Sequence, residues 1–186
     1  MNVFISGGAK NGKTSFAEDI AVKLSSLSGG RRFYVATMIP YDAEDRARIA
    51  LHIAERADKG FETLEIPRDI GSAVDIGAEK GGPGGTFLVD SVTALLLNEM
   101  YPASFDAEAD PAAAERCRDG LLRLAREAKN AVFVSDYLYS DAVRYDAFTE
   151  KYRRDLASVD RALAEVSDTV IEMTAGIPVC RKGRMP

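Results

Sequence analysis

The chain is poor in the features that would tie it to a membrane, a nucleic acid or an oxidising compartment. Its 186 residues hold only two cysteines, Cys117 and Cys180. Two cysteines build no disulfide framework, and their separation suits no metal site, so a reducing cytoplasm is the expected location. The longest apolar runs, such as VTALLL, fall far short of a bilayer span, and the N-terminus opens on a strand pattern rather than on a leader. Clustered positive charge is missing as well: the net charge is -5, which argues against a nucleic-acid partner. Phosphate ligands stay open, because backbone N–H groups with one or two Lys or Arg suffice for them. Histidine occurs once, at His52.

What remains is an ordinary globular composition, 46% hydrophobic and 28% charged, on a chain long enough to bury roughly 70% of the surface it exposes when unfolded. Short β-branched runs alternate with helical patterns. NVFIS (2–6), RFYVAT (32–37), FETLEI (61–66), TFLVD (86–90), AVFVSD (131–136), TVIEM (169–173) and IPVC (177–180) read as strands. Helices are expected over 14–27, 41–58 with Asp42 as N-cap, 91–100, 110–129 with Asp110-Pro111 at its start, and 144–166. GAEKGGPGG (77–85) reads as a surface loop. No repeat or low-complexity segment intervenes. The alternation predicts an α/β fold, P-loop NTPase-like, with a mostly parallel sheet flanked by helices on both faces and a single P-loop nucleotide-binding domain over 1–186. Ligands in such sheets sit at the carboxyl ends of the strands, here Ser6, Thr37, Asp90 and Asp136.

GGAKNGKT (7–14) lies between the first strand and the first helix and satisfies G-x-x-x-x-G-K-[ST] without a mismatch. In this pattern Gly7, Gly8, Ala9, Lys10, Asn11 and Gly12 form a loop whose N–H groups point at a β-phosphate. Lys13 neutralises β/γ charge, and the Thr14 hydroxyl faces Mg²⁺. A carboxylate from a neighbouring strand end should share that metal, and Asp90, closing TFLVD, is the candidate. Its bland alternative is a helix N-cap, for which Asp90 or Ser91 would serve.

His52 lies in ARIALHIAERADKG. Judged from its neighbours alone, it is a half-buried helix residue, since nothing local pairs it with a base or a metal.

Taken together, GGAKNGKT, YVAT (34–37), DAEDRARIALHIAER (42–56), FETLE (61–65), FLVDSVTALLLN (87–98) and YRRDL (152–156) resemble the bifunctional adenosylcobinamide kinase/adenosylcobinamide-phosphate guanylyltransferase family of cobalamin synthesis. The family's R-I-x-x-H-x-x-x-R is matched by Arg48, Ile49, His52 and Arg56, its Y-I-A-T by Tyr34 to Thr37, and its W-x-T-x-E by Phe61, Thr63 and Glu65 with a one-residue offset. The resemblance implies ATP and GTP as substrates, Mg²⁺ as cofactor and a corrinoid as the other small-molecule partner. It adds Thr37, Arg56 and Glu65 to the nucleotide-binding set. It also implies that a corrinoid hydroxyl attacks a γ-phosphate, that His52 then attacks the α-phosphate of GTP, and that the protein is a homotrimer.

Two stretches depart from the family. Where its members carry Asn-Glu and a glycine-rich loop after the fifth strand, this chain reads Asp136-Tyr137-Leu138-Tyr139-Ser140-Asp141. Where they carry Asn-Gln, it has Asp160-Arg161. Losing the glycines alters how closely a ligand can approach the loop. These departures motivate two alternatives: a P-loop kinase for another small hydroxyl substrate, and a non-catalytic nucleotide-binding paralogue.

Overall fold

The computed structural model describes residues 1–80, 84–102, 108–139 and 142–186. The side chains of Glu44, Arg48, Leu51 and Glu55 lie outside the described set, as do Ser140 and Asp141 of the departing loop. Seven strands form one sheet: β1 (Asn2–Gly7), β2 (Arg32–Ala36), β3 (Phe61–Glu65), β4 (Thr86–Asp90), β5 (Asn130–Asp136), β6 (Thr169–Thr174) and β7 (Ile177–Lys182). Their spatial order is β3-β2-β4-β5-β1-β6-β7. Every neighbouring pair is parallel except β6 with β7. The helices are α1 (Lys13–Ser28), α2 (Ala43–Glu55), α3 (Ser72–Glu79), α4 (Val92–Met100), α5 (Ala113–Glu127) and α6 (Ala147–Val166).

The central strands are apolar on both faces because both faces are covered, as a parallel sheet requires. Val3, Ile5, Tyr34, Leu88, Val132 and Val134 pack with Ala17, Ile20 and Leu24 of α1. Phe4, Phe33, Val35, Phe87, Val89 and Phe133 face the opposite way, onto α3, α4, α5 and α6. Among the described residues α2 contributes to neither cluster, so it is free to serve the rim of a cleft.

The predicted fold class is therefore the observed one, while several boundaries move. Helix α3 was not anticipated, and residues 77–79, expected in a loop, belong to it. Gly77 reads as a breaker, but a Cβ there would lie 2.6 Å from Phe87 Cζ. The glycine is needed for close helix–sheet packing. Helix α2 starts at Ala43, with Asp42 accepting the Asp45 N–H as expected of its cap, and ends at Glu55 before a 3₁₀ turn over Ala57–Lys59. Asp110 is not the N-cap of α5: the cap is Ala112, and Asp110 Oδ1 instead accepts the Ala112 N–H at 2.8 Å. Ser91, not Asp90, caps α4 by accepting the Ala94 N–H. That leaves the Asp90 carboxylate for other partners.

One buried carboxylate pins the end of β5. Asp160, on α6, is 2% exposed, and its Oδ2 accepts hydrogen bonds from Ser135 Oγ and Tyr139 OH, each at 3.0 Å. Its Oδ1 is buried with no hydrogen-bond partner among the described residues. Burial outweighs these two donors, and nearby Asp136 adds to it, so the carboxyl is pushed up to about 7 from 3.8. Between those values the folded protein holds a proton that the unfolded chain has released. Stability is thus lost as pH rises from about 4 through 7. Asp160→Asn should flatten that decline, which urea-unfolding midpoints of both proteins at pH 5 and pH 8 would show. An equal decline in the variant would assign the titration to another group.

Candidate functional site

Parallel register brings the strand ends to one place. Gly7 pairs with Asp136 across β1 and β5, Ala36 with Asp90 across β2 and β4, and Asp90 with Val134 across β4 and β5. The chain that leaves β1 at Gly7 must turn at once to start α1 at Lys13. Lys10 and Gly12 take positive φ, 56° and 84°, to make that turn. A Cβ on Gly7 would sit 2.6 Å from both Asn11 Nδ2 and Met173 O, where Asn11 ties the loop down by donating to that carbonyl at 2.6 Å.

Two carboxylates face this loop. Lys13 Nζ, on a residue 6% exposed, lies 2.6 Å from Asp136 Oδ1 and donates also to the Gly8 carbonyl at 2.6 Å. Thr14 Oγ1 donates to Asp90 Oδ2 at 3.0 Å, and Tyr34 OH donates to the same oxygen at 2.6 Å. Burial and the adjacent Asp90 push the Tyr34 phenol far above its ordinary value, so it stays a donor. The Arg56 guanidinium lies 3.8 Å from the centroid of the Tyr34 ring and donates to Thr63 Oγ1 at 3.2 Å. A continuous line of contacts thus runs from the end of α2 to Asp90 and Thr14.

Above the strand ends opens a cavity of about 1000 Å³, the upper end of the range for small-molecule sites. Ala9 through Thr14 form one wall with Asp90 and Asp136. Arg46, Ile49 and His52 of α2, with Arg56 just after its end, line another, and Met38 to Tyr41 and Glu65 contribute to the rim. His52 is half-buried on that wall. Of the residues expected from sequence, the structure therefore assembles Ala9, Lys10, Asn11, Gly12, Lys13, Thr14, His52, Arg56, Glu65 and Asp90 around one space. Gly7 and Gly8 shape the loop from beneath. Thr37 does not reach the cavity: fully buried, its Oγ1 accepts the Ser91 N–H at 2.7 Å and donates to the Ser91 carbonyl at 2.8 Å.

Several wall residues were missing from the sequence-derived set. The sequence marks Asp136 as a strand end and as the first residue of the departing loop, and Tyr34 as part of the Y-I-A-T match, without giving either a place in the site set. Asn98, which donates to the Thr37 and Pro67 carbonyls at 2.7 and 3.1 Å, gave no signal. Thr93 accepts the Asp136 N–H at 2.8 Å, and its own carbonyl accepts Tyr152 OH at 2.8 Å. Thr93 stands among Val92, Ala94 and Leu95 in an apolar helix run, so nothing in that text marks it as a strand-end anchor.

The arrangement can hold a polyphosphate at the loop and present an imidazole from across the cavity. Among the described residues no group of three or more His, Cys, Asp or Glu could form an all-protein metal cage. No helix is long and apolar enough to cross a membrane among those residues.

Comparison with known proteins agrees with this geometry. The KaiC-like protein of the hyperthermophilic archaeon Pyrococcus horikoshii OT3 superposes with a TM-score of 0.55 at 13% identity, over 98% of this chain and 79% of that one. A solved ATPase domain gives a TM-score of 0.54, also at 13% identity, over 98% of this chain and 77% of that one. At such identities the likeness establishes the fold alone, a P-loop NTPase fold. No curated protein gives a significant sequence match. The model of the family described as cobinamide kinase / cobinamide phosphate guanyltransferase matches residues 3–180, nearly the whole chain. The chain belongs to that family of transferases, which serves cobalamin biosynthesis.

Proposed function

We propose that this chain catalyses both family reactions at one nucleotide site, through a GMP–histidine intermediate on His52. The observation that carries the reading is the shared cavity: Lys13 and Thr14 line it from the loop, and His52 lines it from α2. In the kinase step, the side-chain hydroxyl of adenosylcobinamide attacks the γ-phosphorus of ATP or GTP, and the bond to the β-phosphate oxygen breaks. In the transferase step, a neutral imidazole nitrogen of His52 attacks the α-phosphorus of GTP, a P–N bond forms and pyrophosphate leaves. The phosphate of the phosphorylated corrinoid then attacks that phosphorus, the P–N bond breaks, and adenosylcobinamide-GDP results.

The roles of the remaining residues follow from chemistry and position. Ala9 to Gly12 supply backbone N–H groups to the β-phosphate, and Gly7 and Gly8 allow the loop its shape. Lys13 neutralises charge on the transferring phosphoryl group. Arg56 and Glu65 border the nucleotide, and Thr37 supports it from below through Ser91. Thr14 and Asp90 suit Mg²⁺, which takes one or two protein groups and keeps several waters. Bound there, the ion would supply positive charge to the phosphate oxygens. One P-loop domain over 1–186 would carry both steps. The family resemblance supports a homotrimer whose neighbouring subunits complete the clefts, and the near-absence of cysteine supports a cytoplasmic location.

Incubation with α-labelled GTP and magnesium should label the wild-type protein covalently with acid-labile, alkali-stable chemistry, and His52→Ala should abolish the label. GTP binding without any label on the wild type would sink the transferase half. Lys13→Met should slow phosphoryl transfer to cobinamide on the order of 10²–10³-fold, as expected for losing a charged donor to the transition state. Asp90→Asn should raise the magnesium concentration giving half-maximal rate. An unchanged magnesium dependence would remove Asp90 from the metal site.

A further inference from the structure

Asp136 stands where the family that the sequence resembles carries asparagine, and its carboxylate meets the phosphate-loop lysine. It ends β5 directly beside Gly7 in register, so its side chain enters the cavity at the loop. Its flanks are held on both sides. The backbone N–H donates to Thr93 Oγ1 at 2.8 Å, while Ser135 before it and Tyr139 after it both donate to Asp160. These bonds hold the backbone on both sides of Asp136 against the loop. Its Oδ1 lies 2.6 Å from Lys13 Nζ.

That contact is a charge balance. An ammonium on a residue this buried loses most of its hydration and needs an anion nearby. A bound triphosphate brings several phosphate oxygens to the same ammonium, with more negative charge than one carboxylate. Lys13 then turns its donors to the phosphates. Asp136 is left beside the transferring phosphate, fixed by its backbone, with an unpaired carboxylate. An amide at this position could accept no proton from an alcohol; a carboxylate can.

Resting on the kinase reading above, we propose that Asp136 is a further catalytic residue of phosphoryl transfer: counter-ion of Lys13 in the nucleotide-free protein, and proton acceptor for the attacking hydroxyl once nucleotide is bound. In that step the hydroxyl oxygen forms a bond to the γ-phosphorus, and the bond from the γ-phosphorus to the β-phosphate oxygen breaks. The electron pair leaves with the nucleoside diphosphate, and the hydroxyl proton passes to Asp136 and from there to water. A positioned base of this kind contributes about 10²–10⁴-fold. Titratable groups facing it are Lys13 from α1, and Asp160 and Tyr152 from α6.

The test compares Asp136→Asn and Asp136→Glu with wild type in three measurements. These are affinity for a non-hydrolysable GTP analogue, phosphorylation of cobinamide as a function of pH, and labelling by α-labelled GTP. Asp136→Asn should bind the analogue several-fold more tightly, because no carboxylate competes for Lys13. Its ratio of phosphorylation to labelling should fall about a hundredfold or more, in kcat rather than KM, and the acid limb of the pH–rate profile should vanish. Asp136→Glu should recover part of the rate and that limb. An unaltered kinase rate in Asp136→Asn would overturn the role as base. Weaker analogue binding with labelling and phosphorylation lowered in proportion would overturn it too, since that marks a structural residue. Wild-type protein inactive on cobinamide would defeat the kinase reading instead. The affinity measurement alone would then decide the counter-ion, and equal affinities would overturn it.

Discussion

The register of β1 against β5 is the constraint on which the site depends. Pairing Gly7 with Asp136 forces the loop that leaves β1 to face the end of β5, and pairing β5 with β4 carries the same plane across to Asp90. A one-residue slip would turn every alternating side chain to the other face. Val3 and Ile5 would then point at α4 to α6 and Phe4 at α1, undoing both cores at once. The packing that stabilises the sheet is thus the same packing that sets two carboxylates against Lys13 and Thr14. Few local interactions are needed beyond it, because the strand ends arrive already aligned.

Coupling between the two cavity walls has a comparable economy. Among the described residues α2 joins neither core cluster, and at its C-terminal end Arg56 and Lys59 tie it to the rest of the domain. Arg56, 5% exposed, stacks on Tyr34, an arrangement that contributes about 1–2 kcal/mol when desolvated. Just beyond, Lys59 donates to the buried Glu18 and to Asp19 of α1 at 2.9 and 2.8 Å. One turn of helix before Arg56 stands His52. The C-terminal end of α2, where His52 stands, is therefore tied both to Tyr34 and to α1, the helix that follows the phosphate loop.

Much of this was legible in the text. Both-face burial writes itself as uninterrupted β-branched and aromatic runs, and GGAKNGKT is specific because steric rules allow few other sequences to curl around a phosphate. His52 became informative only through its spacing from Arg48 and Arg56 and the family those residues resemble. What stayed hidden depends on three-dimensional neighbours. Gly77 reads as a loop residue until Phe87 is placed against it, and Thr93 reads as a helix residue until Asp136 is set beside it. The Lys13–Asp136 pair joins positions 123 residues apart, and only sheet order brings them together.

The balance of charge around Lys13 unites these points. Asp136 at the end of β5 and Asp160 beside it on α6 are two acids, and among the described residues only Asp136 meets a cation, Lys13. Asp160 instead meets hydroxyl donors and is held toward its neutral form by burial, which limits the repulsion between the two. A protonated Asp160 leaves the negative charge of this strand end on Asp136, the group that meets Lys13 and lines the cavity. A carboxylate is placed at the phosphate loop, and a second, buried one supports it through Ser135 and Tyr139 without adding a full charge of its own. The hydroxyl bonds to Asp160 and the bond from the Asp136 N–H to Thr93 hold the same short segment, so the carboxylate at the phosphate loop is positioned from both α4 and α6.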